Sequence, residues 1–282
     1  MMYLLLFAAD ALFALQFVFE KRFRALQGDD LRAALISVIY SSLIKIPILL
    51  ITGGFHLEFS LFSFILALVH SIVCLLSVSA GLKALATANL SVYSIFMTLG
   101  GMLLPFSFGI FFLNEPLTAG KAFCVLFILL SLLLTWEKGG SKKEAYKYYL
   151  AVFVLNGSVG VISSFHQSRP DLAVSSNSFV LLDTFCSLLI PLFWYLLKYR
   201  KFPIVSTQTV FTQGGFALCN GIGNLFSMIA LTVLPASVQF PIGTGGILVF
   251  SALLGLCLKE KLDFKKTLSL LAAVIATILV II

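Results

Sequence analysis

The sequence has little charge: 11% of its 282 residues are Asp, Glu, Lys or Arg, whereas 60% are hydrophobic and the mean hydropathy is +1.07. A water-soluble fold of this length cannot hide so much apolar surface, so the composition excludes a soluble protein. The longest polar connections, residues 20–32 and 137–147, are short and charged. They leave no room for a catalytic domain between the apolar segments, and any chemistry must take place within the bilayer.

Residues that bind metals or attack substrates are also scarce. The three histidines stand in separate segments, and the five cysteines fall singly in different apolar stretches, without metal-ligand or redox spacing. No phosphate-binding loop of Walker type occurs, which argues against direct use of ATP. We predict no cofactor, no metal and no enzymatic activity, and interpret the cysteines as packing residues. The histidines are His56, His70 and His166, and the cysteines are Cys74, Cys124, Cys186, Cys219 and Cys257.

Ten apolar stretches are long enough to cross a hydrocarbon core about 30 Å thick, which needs roughly 20 helical residues. We predict an all-α membrane protein with ten transmembrane helices. The first stretch has no basic region before it and no cleavage site after it, so it is expected to be a retained helix and not a signal peptide. The predicted spans cover residues 2–19, 33–52, 61–82, 88–113, 118–136, 148–166, 172–197, 208–232, 236–258 and 264–282.

The basic residues are distributed unequally between the two sides of this predicted bundle. Of the 19 Lys and Arg residues, all but three lie in the odd-numbered connections; Lys121 and Arg169 lie on the other side, and Lys45 lies within span 2. Cytoplasmic loops retain Lys and Arg, so both termini are expected outside a bacterial plasma membrane. Because the positive charge flanks the spans, the expected partner is the lipid bilayer and not nucleic acid.

The chain repeats itself after 146 residues. Each copy has five spans, an odd number, so the second copy enters the membrane from the opposite side; the unequal charge of equivalent loops agrees with this inversion. We predict a first repeat at 1–137, a basic linker at 138–147 and a second repeat at 148–282. Inverted repeats are common in secondary transporters, whose substrate site lies near the midplane. Matching pairs include Ala84 with Ala230, Ser91 with Ser237, Thr98 with Thr244, Gly100 with Gly246 and Gly109 with Gly255.

The same segments carry a family resemblance. Residues 84–92 (ALATANLSV) leading to 112–117 (FLNEPL), and residues 230–238 (ALTVLPASV) leading to 258–262 (LKEKL), resemble the paired EamA-type repeats of the drug/metabolite transporter superfamily. The resemblance covers essentially the whole chain. It implies a basket of ten helices with spans 1, 3, 4, 6, 8 and 9 around a central cavity. It also implies export or exchange of amino acids, nucleotide-related compounds or other metabolites.

Two glutamates occupy the junctions that follow spans 4 and 9. Glu115 and Glu260 are each followed three residues later by a good helix N-cap, Thr118 and Asp263 respectively. We favour a structural role, in which glutamate and cap together satisfy free backbone N–H groups where spans 5 and 10 begin. The functional alternative is a gate.

Ionisable residues inside spans are costly in hydrocarbon and usually face the bundle interior or an aqueous cavity. Asp10 lies in the middle of span 1, and the repeat places Asn156 at the equivalent position of span 6. Three roles stay open for Asp10: coupling to protons, binding a cationic group of the substrate, or packing against a polar neighbour. The family resemblance implies that spans 2 and 7, which carry Lys45 and Asp183, lie outside the cavity lining. Asp183 is then expected to be either paired within the protein or a second coupling site.

Polar and small side chains also form stripes along spans 3, 6 and 8, where they recur at helical spacings. Lipid cannot receive such stripes, so they either line a cavity or bond neighbouring helices. In span 9, Pro241 and the glycine-rich run at 243–246 predict close packing against span 4 or a local break. The candidate cavity residues are His70, Tyr93, Thr98, Asn156, Gln213, Asn220, Asn224, Gln239 and Thr244.

These features predict a secondary transporter that exposes a small polar or amphipathic metabolite alternately to each side, coupled to protons or to a counter-substrate. A monomer is expected, because the duplication supplies both halves in one chain. Two other classes stay open. A passive channel would show flux far above carrier rates without counter-transport. An intramembrane enzyme would need a convergent nucleophile and base, and the sequence offers none.

Overall fold

The computed structural model describes residues 2–28, 30–87, 90–134, 145–257 and 264–281. Across these ranges the chain forms helices joined by short connections, without β-strands. The helices are α1 (Met2–Gln27), α2 (Leu31–Thr52), α3 (Leu61–Thr87), α4 (Leu90–Phe112), α5 (Ala119–Leu134), α6 (Ala145–Gln167), α7 (Ser176–Tyr199), α8 (Thr207–Leu231), α9 (Ala236–Cys257) and α10 (Phe264–Ile281).

Each helix lies where a span was predicted, and the largest differences concern helix ends. α1 continues to Gln27 and α3 to Thr87, beyond residues 19 and 82 at which the predicted spans end. The end of α1 is polar, and its Arg24 guanidinium donates to the Glu20 carboxylate at 2.7 Å, one turn earlier. Gly28 then ends the helix in a left-handed conformation with φ of +83°. Hydropathy locates the part of a helix that lies in lipid and misses its polar extension.

The chain is a helical membrane protein. Among the described residues, seven helices are long and apolar enough to cross a membrane, and two shorter apolar helices cover Phe96–Phe112 and Ala119–Ser131. Large apolar side chains stand exposed on the outside of the bundle; Phe111 and Phe211, for example, are 77% and 76% exposed. Exposed apolar surface of this extent marks contact with a membrane. The crossing of the bilayer by all ten helices stays a prediction.

Six helices make up the centre of the bundle. α1 packs against α8 and α9, α6 packs against α3 and α4, and α4 packs against α9. The flanks consist of two helix pairs, α5 with α10 and α2 with α7; the second pair contacts the centre through α3 and α8. Small residues let the central helices approach closely. A Cβ atom on Gly157 of α6, for example, would lie 2.5 Å from the carbonyl oxygen of Gly100 in α4.

The junction after α4 departs in part from its predicted role. Thr118 does cap α5, since its hydroxyl accepts from the backbone N–H of Lys121 at 3.3 Å. Glu115 instead reaches α9: its carboxylate accepts from the backbone N–H groups of Ala236 and Ser237 at 2.8 Å each, and from the Ser237 hydroxyl. A carboxylate there satisfies free N–H groups and complements the helix dipole. Glu115 therefore caps α9, a helix distant in sequence, and not α5.

Lys121 completes this junction, which we call the Glu115 clasp and which comprises Glu115, Lys121 and Ser237. The Lys121 ammonium is buried and donates to the carbonyl of Pro116 at 2.8 Å and to the Ser237 hydroxyl at 2.7 Å. The clasp thus holds the connection between α4 and α5 against the beginning of α9. The residues predicted to act after α9, Glu260 and Asp263, lie outside the described residues.

We expect Glu115→Gln to lower the melting temperature of the detergent-solubilised protein. The amide presents its own N–H group to the donors of α9, so at least one hydrogen bond to a charged acceptor is lost, at a cost of about 1–3 kcal/mol. Intrinsic fluorescence during heating measures the effect. Glu20→Gln is the matched control, because the half-exposed ion pair between Glu20 and Arg24 contributes little. Equal melting temperatures for the two variants would contradict the capping role.

Candidate functional site: the central cavity

A cavity of about 530 Å³ lies at the centre of the bundle, within the usual size range of small-molecule sites. Its walls come from α1, α3, α4, α6, α8 and α9, the six helices that the family resemblance places around a cavity. Much of the wall is apolar, and Phe13, Phe17 and Phe240 are its aromatic members. Polar groups come from both halves of the chain: Asp10, His70, Thr98, Asn156, Ser163, Asn224, Ser227, Gln239, Thr244 and Ser251.

Asp10 brings a carboxylate to this cavity. It is 1% exposed and packs where α1 crosses α9: a Cβ atom on Gly246 would overlap the carboxylate, and one on Gly243 would lie 3.4 Å from Oδ1. Its Oδ2 atom is buried and has no hydrogen-bond partner among the described protein groups. An unpaired acceptor at this depth is costly. At this depth Asp10 Oδ2 therefore requires a proton of its own or a hydrogen-bond donor.

Two glycines of α9 also pack against a helix that the sequence did not single out, α1. α9 is continuous from Ala236 to Cys257, with Pro241 inside it, so the alternative of a local break is wrong. α9 does pack against α4, as predicted. Gly243 and Gly246, however, face Asp10 on α1. The missing side chains on α9 provide the space that the carboxylate occupies.

Asn156, which the predicted repeat aligns with Asp10, lies where α6 contacts α4. Its amide nitrogen donates to the backbone carbonyl of Met97 at 2.8 Å, and a Cβ atom on Gly101 would lie 2.8 Å from the same nitrogen. Asn156 also lines the cavity. It is therefore fixed against one helix while it contributes polarity to the cavity wall.

Two further amides line the cavity from α8 and α9. Asn224 donates to Asn220 Oδ1 at 3.1 Å, and Gln239 donates to the backbone carbonyl and the hydroxyl of Ser227 at 2.8 and 2.9 Å. Gln239 Oε1 is buried without a partner among the described groups. Together with Asp10 Oδ2, it gives the residues of the cavity wall two unpaired acceptors.

Two of the predicted cavity residues serve contacts between helices instead. Gln213 is buried and donates to the Ser37 hydroxyl of α2 at 3.0 Å. Asn220 donates to Gln16 of α1 at 3.0 Å and accepts from Lys45 of α2 at 3.2 Å. α8 lies between α1, α2 and the cavity, so different parts of one polar stripe meet different neighbours.

Three further candidates were predicted on α4 and α9. Thr98 of α4 and Thr244 of α9, which the predicted repeat aligns with each other, both line the cavity. The side chain of Tyr93 lies outside the described residues.

The aromatic wall was not predicted, although the sequence contains a signal for it. Leu6, Asp10, Phe13 and Phe17 recur at spacings of four, three and four residues, which places them on one face of α1. A search for stripes that counts aromatic side chains together with polar ones would have identified this face of α1. The cavity therefore combines a carboxylate and amides with aromatic surface, which suits an amphipathic ligand.

The structure pairs Asp183 with His70, one of the two outcomes expected for it. His70 Nδ1 lies 2.8 Å from Asp183 Oδ1, and the Ser71 hydroxyl donates to the same oxygen at 2.8 Å. His70 itself lines the central cavity. Within the part of the chain that the structure describes, no group of three His, Cys, Asp or Glu residues could hold a metal ion.

Comparison with known proteins gives the fold a counterpart. No family model matches the chain, and no curated protein matches it either. Among solved structures 29 chains match, and one, described only as "Crystal structure of protein", has a TM-score of 0.78 at 14% sequence identity, covering 98% of this chain and 94% of that one. At this identity the likeness shows the fold alone. The arrangement of helices along nearly the whole chain is one that a solved protein also has.

Proposed function

We propose that this chain is a secondary transporter of small metabolites, which works by alternating access as an exporter or exchanger in the plasma membrane. The observation that carries the proposal is the central cavity of about 530 Å³, which is lined from both halves of the chain and by Asp10, whose Oδ2 atom has no hydrogen-bond partner among the described groups. Transporters built from inverted repeats bind their substrates at such an interface between the halves. The sequence resemblance to EamA-type repeats supports the same assignment.

The packing of the helices supports a relation between two inverted repeats, residues 1–137 and 148–282, with ten transmembrane helices in all. In this relation α1 to α5 correspond in order to α6 to α10, so the contact of α1 with α8 corresponds to that of α6 with α3. In the same way, the contact of α1 with α9 corresponds to that of α6 with α4. The contacts of α2 with α7, α4 with α9 and α5 with α10 each join a helix to its own counterpart. An approximate two-fold axis between the halves has this consequence.

The same correspondence between helices relates the polar groups of the cavity. Asp10 faces Gly243 of α9, and Asn156 faces Met97 of α4; 146 residues separate Asp10 from Asn156 and Met97 from Gly243. Each half thus brings one polar side chain to an equivalent helix crossing. Because one is a carboxylate and the other an amide, we assign Asp10 to the binding of a positively charged or hydrogen-donating group. Amino acids and nucleosides both carry such groups beside apolar ones.

Two bundles enclose the cavity: α3 with α4 and α6, and α1 with α8 and α9. They meet along α4 and α9, where Leu6, Met102, Leu234, Val238 and Ile242 share one apolar cluster. The Glu115 clasp ties the bundles together at the beginning of α9. Rocking one bundle against the other to open this end requires the clasp to break, which gives Glu115 the gating role alongside its capping role.

We expect purified protein in liposomes to exchange labelled amino acids or nucleosides across the membrane, and Asp10→Asn to slow this exchange about ten- to hundredfold. A hydrogen bond to a charged acceptor contributes about 1.5–3 kcal/mol, which corresponds to this range. Counterflow of a labelled mixture measures the exchange. Asp171→Asn, in an exposed connection, is the matched control.

Three results would contradict the proposal or parts of it. The absence of exchange for every compound in the mixture would argue against a metabolite transporter. Flux far above carrier rates without counter-transport would indicate a channel. Unchanged exchange in Asp10→Asn would remove Asp10 from the substrate site while leaving the transporter assignment in place.

Orientation is testable separately. Because the basic loops are expected in the cytoplasm, a reporter enzyme that works only outside the cytoplasm should be active when fused after Ile282. The same reporter fused after Lys142, in the basic linker, should be inactive and serves as the internal control. The opposite pattern of activities would reverse the orientation.

A further inference from the structure

A pair of ionisable side chains beside the cavity has no part in the function proposed so far. His70 of α3 and Asp183 of α7 are joined by the 2.8 Å contact between Nδ1 and Oδ1. An ionised carboxylate oxygen can only accept, so Nδ1 carries the hydrogen of this bond. Nε2, on the other side of the ring, is then the atom at which His70 gains or loses a proton.

His70 belongs to two cavities at once. It lines the central cavity and also a smaller one of about 40 Å³, whose walls include Asp183, Lys45 and Asn224. The smaller volume exceeds the roughly 10–15 Å³ that one water molecule requires. The side chains of His70 and Asp183 are 13% and 18% exposed, so the pair is shielded without being sealed. Protons can therefore reach the ring from the central cavity.

The charges that face this pair come from the helices packed around it. Lys45 of α2 brings an ammonium to the smaller cavity. α8 contributes uncharged amides: Asn220 Oδ1 accepts from Lys45 at 3.2 Å and from Asn224 at 3.1 Å. Asp10 of α1 lines the central cavity that His70 shares. A chain of contacts thus runs from Lys45 through the two amides to the substrate space.

Other titratable groups nearby are two thiols and a second imidazole. Cys74 Sγ lies 3.8 Å from His70 Nδ1, and Cys186 lies one turn after Asp183 on α7. His166 of α6 stacks on Phe179 at 3.9 Å and is bound to Ser63. His166 is not among the residues that line the central cavity, whereas His70 is. Histidine is the side chain that ordinarily changes charge between about pH 5 and 8.

We propose that His70 and Asp183 form the proton site of the transporter, in which His70 Nε2 takes up a proton from the central cavity while Asp183 holds the ring through Nδ1. This inference rests on the proposed transport function. Protonation adds one positive charge to the wall of the substrate cavity, and Asp183 compensates it. Proton and substrate then change each other's affinity, because both act on the same wall.

The first test follows the proton itself and needs no substrate. Protein labelled with ¹⁵N-histidine and embedded in liposomes is titrated between about pH 5 and 9 by solid-state NMR, over the range in which histidine ordinarily titrates. His70→Gln and His56→Gln identify the signals, His56 being an exposed residue of a connection. We expect the Nε2 signal of His70 to change from the neutral to the protonated form. A ring that keeps one state throughout overturns the proton site, whether or not transport is found.

The second test separates coupling from binding. For one proton per substrate molecule, a gradient of one pH unit drives about a tenfold accumulation of the labelled amino acid or nucleoside mixture. We expect His70→Gln to abolish this accumulation, because the variant has no ring to take up the proton; exchange that counterflow still detects shows that the variant folds. His56→Gln should accumulate like the unmodified protein, under a gradient of either sign.

The outcomes distinguish this inference from the function on which it rests. Exchange without any pH-driven accumulation in the unmodified protein, or full accumulation in His70→Gln, overturns the coupling role and leaves the transporter assignment intact. If His70→Gln loses exchange as well, the deciding variant is Asp183→Asn, which removes the partner of His70 and keeps the imidazole ring. Accumulation by Asp183→Asn equal to that of the unmodified protein overturns the proposal. Absence of exchange in the unmodified protein contradicts the transport function instead.

Discussion

The absence of side chains on Gly243 and Gly246 is the constraint on which the central site depends. A polar group in a membrane protein must find its partners inside the protein or in a cavity. On α1, Asp10 can lie at a helix crossing only because α9 leaves space for its carboxylate. That close crossing draws α1 and α9 into one bundle and directs the aromatic face of α1, with Phe13 and Phe17, toward the cavity. Binding chemistry and helix packing therefore have the same origin.

Placement of the helices was largely predictable, because it follows from the length of each apolar run and the thickness of a bilayer. The polar end of α1 was not, since residues beyond lipid obey local rules such as the ion pair of Arg24 with Glu20. Glu115 was assigned a structural role correctly but on the wrong helix. A sequence-local rule proposes the nearest N-terminus, whereas the carboxylate caps α9, more than a hundred residues away.

The sequence predicts which polar residues share a helical face, but only in part which of them line the cavity. Asn156 and Asn224 were predicted from polar stripes and do line the cavity. Gln213 and Asn220, from the same stripe of α8 as Asn224, bond α2 and α1 instead. Periodicity states which residues share a face, but the rotation and tilt of the helix decide what that face meets. Those depend on side chains elsewhere in the chain.

In the function proposed here, the positions of the two carboxylates separate binding from coupling. Asp10 lies on α1, inside one central bundle, where it faces the ligand space. Asp183 lies on α7 of a flanking pair and holds His70 of α3, which belongs to the other bundle. A change of charge on His70 therefore acts at a boundary between a central bundle and its flank, and at the cavity wall. Alternating access requires such a boundary to exist in two arrangements, and a proton that stabilises one of them couples its own movement to that of the substrate.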